Sequence, residues 1–395
     1  MPMGKGFAIT SDLNLRNILL SGYERHTRRP DDEDQPSTKR RKLYALPKLK
    51  ISAITNDAVA TLASLAYAVK SLPNSRVVMG LIVGTGCNAT IPMKLSALHE
   101  DKVKHVRRSD PETSGIIVNT EWTIYGVLPP LKELNIITKW DAELDASSAR
   151  PGFQPFEYMT GGRYIGELIR LIFTDYMINV AGVSKAALPA TLTQGYALTT
   201  SYISDKVARA RSDEELTDEL AHSLPPPSDT WQWDATSAGV LRKVARTVQR
   251  RSAGLVAAAV VGLLACAGEI ELRLDSPQGS PQDSHAASPE RDSITTLSAQ
   301  LKSEGSASNG FRGPIVPIIS PTPADWQSGP EELVVACTGG IIQHYPNFKE
   351  MCQQTIDRLI MRTGPQKSGK SVFLREASDG GVIGAGVLAG MVGNR

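Results

Sequence analysis

Cysteine is scarce and scattered. Four stand among 395 residues, Cys87, Cys266, Cys337 and Cys352, with no Cys-x-x-Cys and no Cys/His spacing suited to zinc. That excludes a disulfide-stapled scaffold and predicts no resident metal site, with reduced thiols in an intracellular protein. An excess of one charge is also lacking: Lys plus Arg number 43 against 41 Asp plus Glu, a net of +2. Such balance argues against a global polyanion-binding surface and against direct nucleic-acid binding. Glycine (33) and proline (25) are too few for a collagen-like or wholly low-complexity chain. The opening residues, MPMGKGF, hold no apolar core of a secretory signal. No apolar run reaches the ~20 residues of a bilayer span. The nearest, 253–268 (AGLVAAAVVGLLACAG), has 16 residues, with Arg250 and Arg251 before it and Glu269 after. Its Ala and Gly predict a tightly packed internal helix and no membrane partner.

What is present suits an ordinary soluble globular protein: 41% hydrophobic and 21% charged residues. Residues 11–23 predict an amphipathic helix on Leu13, Leu15, Ile18, Leu19 and Leu20, with Ser11 as candidate N-cap. Residues 24–48 read as a charged loop, with an acidic run at 31–34 and a basic tetrad, KRRK, at 39–42. Strand patterns follow at 49–54, 77–83, 116–119 and 333–336. Helical patterns cover 57–68, 156–176, 253–268 and 346–362, and the tail, 379–392, is Gly-rich and apolar. Strands alternating with helices indicate an α/β protein. Residues 275–330 are Ser/Pro/Gly-rich without periodicity and read as a disordered insertion.

Four local patterns carry chemistry. Thr55-Asn56-Asp57 stands at a predicted strand-to-helix junction, where a partly desolvated carboxylate serves as a general base or a plain N-cap. In 80–89 (GLIVGTGCNA) an apolar strand enters Gly84-Thr85-Gly86. Such a turn either lets backbone N–H groups approach a phosphate or merely closes a hairpin. Val118-Asn119-Thr120-Glu121-Trp122 puts a carboxylate at a strand end, and 151–157 (PGFQPFE) puts Glu157 near a helix start. Carboxylates and carboxamides suit sugar hydroxyls, although single Glu residues are mostly surface residues.

In this order the segments Lys5-Gly6-Phe7, TNDAVATL, LIVGTGCNAT, VNTEWTIYG and PGFQPFEYMTGGRYIGELIR resemble the hexokinase family of sugar kinases. The texture is most similar to atypical, regulatory-type fungal members. The resemblance implies an actin-like ATPase (ribonuclease H-like) fold, with 1–56 a small-lobe remnant and 57–395 the large lobe. It implies that Asp57 takes the proton from the 6-hydroxyl of a hexose, which attacks the γ-phosphate of ATP. Lys5, Asn56, Asn88, Glu121 and Glu157 would hold the sugar. Gly84, Thr85 and Gly86 would form the second phosphate loop, and Gly339 and Gly340 would lie in the adenosine loop. Mg2+ would be held mainly through the nucleotide.

The chain departs from the family pattern. Gly4 replaces a Thr, and no Asp-x-Gly-Gly-Thr phosphate hairpin is found. Thr338 stands where an Asp is usual, and Ile383 where a Lys is usual. These predict a truncated small lobe and weak or lost turnover. The alternative is a non-catalytic regulator or sugar sensor with protein partners docking on 275–330. Location is expected to be cytoplasmic, with nuclear entry through 39–42 a further expectation.

Overall fold

The computed structural model describes residues 14–27, 45–69, 74–109, 111–122, 127–272, 331–364, 366 and 369–393. Its centre is a five-stranded sheet: β1 (Ser75–Val83), β2 (Cys87–Lys94), β3 (Gly115–Asn119), β4 (Glu332–Thr338) and β5 (Ser371–Glu376), in the order β3-β2-β1-β4-β5. β1, β2 and β3 form an antiparallel meander, with Val83 opposite Cys87 and Thr90 opposite Asn119. β4 and β5 add in parallel on the other side of β1, with Ile82 opposite Thr338. The carboxyl ends of β1, β3 and β4 therefore face the same way. In open α/β sheets, ligands sit beyond those ends where strand order changes direction.

The helices that matter are α1 (Leu15–Glu24), α2 (Asp57–Val69), α3 (Pro155–Thr160), α4 (Gly162–Asn179), α5 (Asp213–Ser223), α6 (Ala235–Cys266), α7 (Gly340–His344), α8 (Phe348–Arg362) and α9 (Gly380–Gly393). α2 and α9 pack together on one face of the sheet. A Cβ on Gly384 would lie 1.8 Å from the Ala60 carbonyl, so the helices cross at backbone contact. α6 packs against α4, α5 and α8. It is capped by Asp234 and Ser237, whose side chains each bond the other's backbone N–H. By length and composition α6 could cross a membrane, yet half its apolar window is buried inside the fold. The core runs from Leu81, Ile91 and Ile165 to Val256 and Phe348.

Several expectations change. Residues 49–54 form no strand. Alternation supplies a face but not a partner edge, and among the described residues the outer strands of the sheet are β3 and β5. The helix expected over 156–176 is two, α3 and α4, because Gly161 is extended between them. The apolar run 253–268 is only the second half of α6. The cap of α1 is Asn14, whose Oδ1 accepts from Asn17 N–H at 3.2 Å. The apolar side of α1 is not buried: Leu15, Ile18 and Leu19 are 48%, 40% and 48% exposed. Ser11, Lys5, the KRRK tetrad and the 275–330 insertion lie outside the described residues.

Two ion-pair systems brace the shell. Arg251 grips the buried Asp141 through its two terminal guanidinium nitrogens, each at 2.7 Å. At the amino ends of β1 and β4, Arg76 holds Glu269 at 2.9 and 2.6 Å and Glu331 at 2.8 Å. Those two carboxylates flank residues 273–330, so one guanidinium joins both sides of that segment.

Candidate active site

The predicted residues that the structure describes lie along the β1–β2 hairpin and at the ends of β3 and β4 that border it. α2 brings Asn56 and Asp57. Asn56 is the cap: its Oδ1 accepts from Ala58 N–H at 2.9 Å and its carbonyl from Ala60 N–H at 3.0 Å. Asp57 is therefore the first helical residue, not the plain cap weighed from sequence. Its Oδ1 also accepts from Ala58 N–H, at 2.9 Å. The expectation of partial desolvation is corrected, because Asp57 is exposed. A first helical residue points away from the sheet that the second residue faces, and Ala58 is the fully buried one. The Thr90 hydroxyl donates to the Ala58 carbonyl at 3.1 Å, seating this turn on β2.

β2 and β3 carry the amide–carboxylate group. The Asn88 Oδ1 accepts from Ala89 N–H at 2.8 Å, which turns its Nδ2 toward β3. That Nδ2 donates to Asn119 Oδ1 at 2.7 Å and to Glu121 Oε1 at 3.1 Å. Asn119 Nδ2 donates to the same Glu121 oxygen at 2.9 Å. Glu121 has a left-handed φ of +44°. Such backbone strain persists only where surrounding structure holds it, and it concentrates at functional positions. Trp122 packs edge-on against Phe156, centroids 5.9 Å apart, tying the end of β3 to α3. The neighbours of that pair, Glu121 and Glu157, are thereby brought to one region. Glu157 is 1% exposed and accepts from Cys87 N–H at 3.4 Å. Burial pushes the Tyr164 hydroxyl above its ordinary range, and the negative charge of Glu157 adds to that.

The Gly84-Thr85-Gly86 turn is a true hairpin tip, closed by Gly84 N–H to Gly86 O at 2.9 Å. It is also docked. Its carbonyls at Gly84 and Thr85 accept from Gly162 N–H and Arg163 N–H at 2.7 and 3.1 Å. Thr85 alone of the three is exposed, at the tip. On the other side lies the end of β4. Gly339 has φ +120°, and a Cβ there would stand 2.5 Å from the Val83 carbonyl, so only glycine fits. Gln343 accepts from Thr338 Oγ1 at 3.3 Å and from Gly339 N–H at 3.2 Å, fixing this turn. Above Gly340 a Cβ would meet open space. Two glycine turns are in contact here, one with Thr85 exposed at its tip, and the open space above Gly340 leaves backbone accessible beside them.

The structure thus joins Asn88 directly to Glu121, places Glu157 on the N–H of the preceding Cys87, seats the turn of Asn56 and Asp57 on β2 through Ala58 and Thr90, and sets the Gly84-Thr85-Gly86 turn against Gly339 and Gly340. Lys5 is outside the described residues. Sequence reasoning overlooked Asn119. Its signal was present, since it lies two residues before Glu121 and pairs with Thr90 two residues after Asn88.

Residues 78–391 match the family model described as Hexokinase. A hexokinase-2 of Nicotiana tabacum, described as chloroplastic, is 27% identical over 342 residues, 86% of this chain and 53% of that protein. A mouse hexokinase-1 is 31% identical over 237 residues, 59% of this chain and 21% of that protein. Among solved structures, a Schistosoma mansoni hexokinase complexed with glucose superposes with TM-score 0.55 at 23% identity. That alignment covers 85% of this chain and 56% of the other. The chain spans about half the length of the curated plant relatives it matches.

Proposed function

This chain belongs to the hexokinase family and has its actin-like ATPase fold, and from that premise we propose that it phosphorylates a glucose-like hexose at the 6-hydroxyl using Mg-ATP. The observation that supports this most is the Asn88–Glu121 hydrogen bond beside the docked glycine hairpin. A fixed carboxamide and carboxylate suit the adjacent hydroxyls of a sugar ring, and the glycine turns suit the phosphates next to it.

In this reading Asp57, at the open end of α2, accepts the proton of the 6-hydroxyl as its oxygen attacks. Asn56, Asn88, Glu121, Glu157 and Lys5 orient the ring. Gly84, Thr85, Gly86, Gly339 and Gly340 receive the nucleotide, which brings its own Mg2+. Phosphoryl transfer depends chiefly on such positioning and on neutralised charge. The 395 residues contain no Asp-x-Gly-Gly-Thr pentad, so turnover by these residues alone is weak, and 1–56 belongs to the small-lobe side of the site. A second reading, a sugar sensor that docks partners on 275–330, shares the hexose site and needs no turnover. The atypical fungal affinity rests on sequence texture alone and is part of the proposal. So is a cytoplasmic location with nuclear access through 39–42, which a reporter fusion excluded from the nucleus overturns in its second half.

A coupled assay with glucose and ATP tests the main reading. Turnover that Asp57→Ala abolishes supports the kinase. Glucose binding with no turnover selects the sensor, and absence of binding to both ligands overturns both.

A further inference from the structure

We infer that Asn119 is a positioning residue that sets how the site reads sugar hydroxyls; this rests on the hexose reading above. The argument begins with Asn88. Because its Oδ1 is taken by Ala89 N–H at 2.8 Å, its Nδ2 must face β3. Two acceptors meet it there, Asn119 Oδ1 at 2.7 Å and Glu121 Oε1 at 3.1 Å. Asn119 then passes a hydrogen bond on, from its Nδ2 to the same Glu121 oxygen at 2.9 Å. Each orientation therefore fixes the next, from a backbone amide on β2 to a carboxylate on β3.

The outcome is chemical. Glu121 Oε1 accepts from two amide nitrogens, and Oε2 takes no part in the triangle. The carboxylate is held with that second oxygen as the acceptor for a hydroxyl. Asn88 likewise has its amide flip settled before any ligand arrives. Without Asn119, Glu121 keeps one tether on a strained backbone, φ +44°. A carboxylate free to rotate offers either oxygen and tolerates a hydroxyl in either epimeric position. Asn119 thus supports both affinity and discrimination between epimers, acting through Glu121 and Asn88 and not by proton transfer. Its exposure at the end of β3, where it pairs with Thr90 and anchors no core, argues against a packing role.

The test is calorimetric titration of the full chain with glucose and its epimers at C2, C3 and C4, for wild type, Asn119→Ala and Asn119→Asp. Removing a hydrogen bond to a charged group is expected to weaken glucose binding by roughly tenfold or more. Asn119→Ala should also narrow the spread among the epimers. Asn119→Asp keeps the shape but places a carboxylate against Glu121. Like charges raise the proton affinity of such a pair. Its binding should recover, relative to wild type, as pH falls from about 7.5 toward 5.5, when a shared proton restores the missing donor. The other carboxylates at this end of the sheet, Asp57 and Glu157, are unchanged in all three proteins and cancel in that ratio. A merely structural role would lower binding of every epimer equally, with no recovery in acid. Thermal melting checks folding. If Asn119→Ala unfolds, the isosteric Asn119→Asp still decides, and a folded Asn119→Asp with pH-independent loss overturns the inference. Variants that bind like wild type, with the same epimer ranking, overturn it and leave the hexose reading standing. A wild type that binds no hexose overturns that reading and this inference together.

Discussion

The carbonyl of Gly84 accepts the backbone N–H of Gly162 at 2.7 Å. A helix N-terminus often serves as an anion site, but here its first donors hold a loop instead. The β1–β2 turn is thereby anchored to α4, which carries the buried core stripe of Ile165, Leu168, Ile169 and Phe173. The contact leaves no room: a Cβ on Gly162 would lie 2.8 Å from that carbonyl and 3.2 Å from Ile341. Gly162→Ala is expected to push the hairpin outward, lowering stability by about 1–3 kcal/mol. ATP affinity should fall more than glucose affinity, because only the phosphate side shifts. Thermal melting with separate titrations of the two ligands checks this.

Gly339 faces the same turn from β4. Its φ of +120° is closed to a side chain, and its Cβ would meet the Val83 carbonyl at 2.5 Å. Gly339→Ala is expected to cost about 2 kcal/mol or more, from strain plus contact. Gly340→Ala, three bonds away but with open space above it, should leave the melting temperature nearly unchanged. Its loss should show in ATP binding alone. Equal melting shifts for the two variants would contradict the geometry.

The sheet was readable where one residue type spoke strongly. The continuous apolar run into Gly84-Thr85-Gly86 announced β1 and its turn, and β4 announced itself through Leu333 to Ala336. β2 was missed because Pro92 and the small residues Ala89 and Thr90 blur its pattern, though β1 and β3 pair it on both sides. β5 was missed because a short edge strand keeps Phe373 exposed, at 43%, and so lacks a clean alternation. The false strand at 49–54 is the converse case, a good local pattern without an edge to join. At the site, each motif was legible singly from its residues, and only the family resemblance joined them around one sugar. The Thr90–Ala58 and Asn88–Glu121 bonds depend on register between distant segments, which sequence spacing does not encode.

Arg76 joins the two sides of residues 273–330 through Glu269 and Glu331. Lys370 reinforces it, donating to the Glu269 carbonyl at 3.0 Å. Chain ends already held together need little intervening length. Replacing 273–330 with a linker of about four Gly/Ser residues is expected to keep the fold. It should raise stability by roughly 2 kcal/mol, since each halving of loop length returns about 0.6 kcal/mol. Glucose binding should be unchanged, because the clamp lies at the amino ends of the strands. Arg76→Ala should lower the melting temperature in both the full chain and the shortened one. A shortened chain that fails to fold would show that the segment itself is structural.

The four cysteines divide by environment. Burial pushes the Cys337 thiol up to about 12, and the Cys352 thiol further still. Both are protonated at neutral pH and shielded from reagent. Cys87 is also buried, whereas Cys266 at the end of α6 is exposed. Native protein treated with iodoacetamide at pH 8 should therefore gain one adduct rapidly, on Cys266, with the other three reacting only on unfolding. Intact-mass analysis with peptide mapping reads this directly. Rapid labelling of Cys337 would place the end of β4 in solvent and contradict the packing of the turn between β4 and α7.

Asp141 and Arg251 give the acid limb of stability. Burial alone would raise the Asp141 carboxyl, but the paired hydrogen bonds and charge of Arg251, with Thr138, outweigh it and hold it below its ordinary value. A lowered folded value means that unfolding takes up a proton. The contribution is therefore complete above the unfolded value, about pH 4, and is lost as pH falls through the lower folded one. Asp141→Asn should destabilise the protein at pH 7 by about 3 kcal/mol, since Arg251 is left without its counter-charge. The gap between variant and wild type should shrink steadily below pH 4, as the wild-type carboxyl itself becomes neutral. Arg251→Met should weaken the protein at pH 7 as well, but it should narrow its deficit in acid by the same route, because its unpaired Asp141 takes up a proton at a higher pH. Denaturant titrations of the three proteins between pH 3 and 7 measure this. A deficit for Asp141→Asn that stays constant over that range would mean that the pair contributes through packing and not through charge.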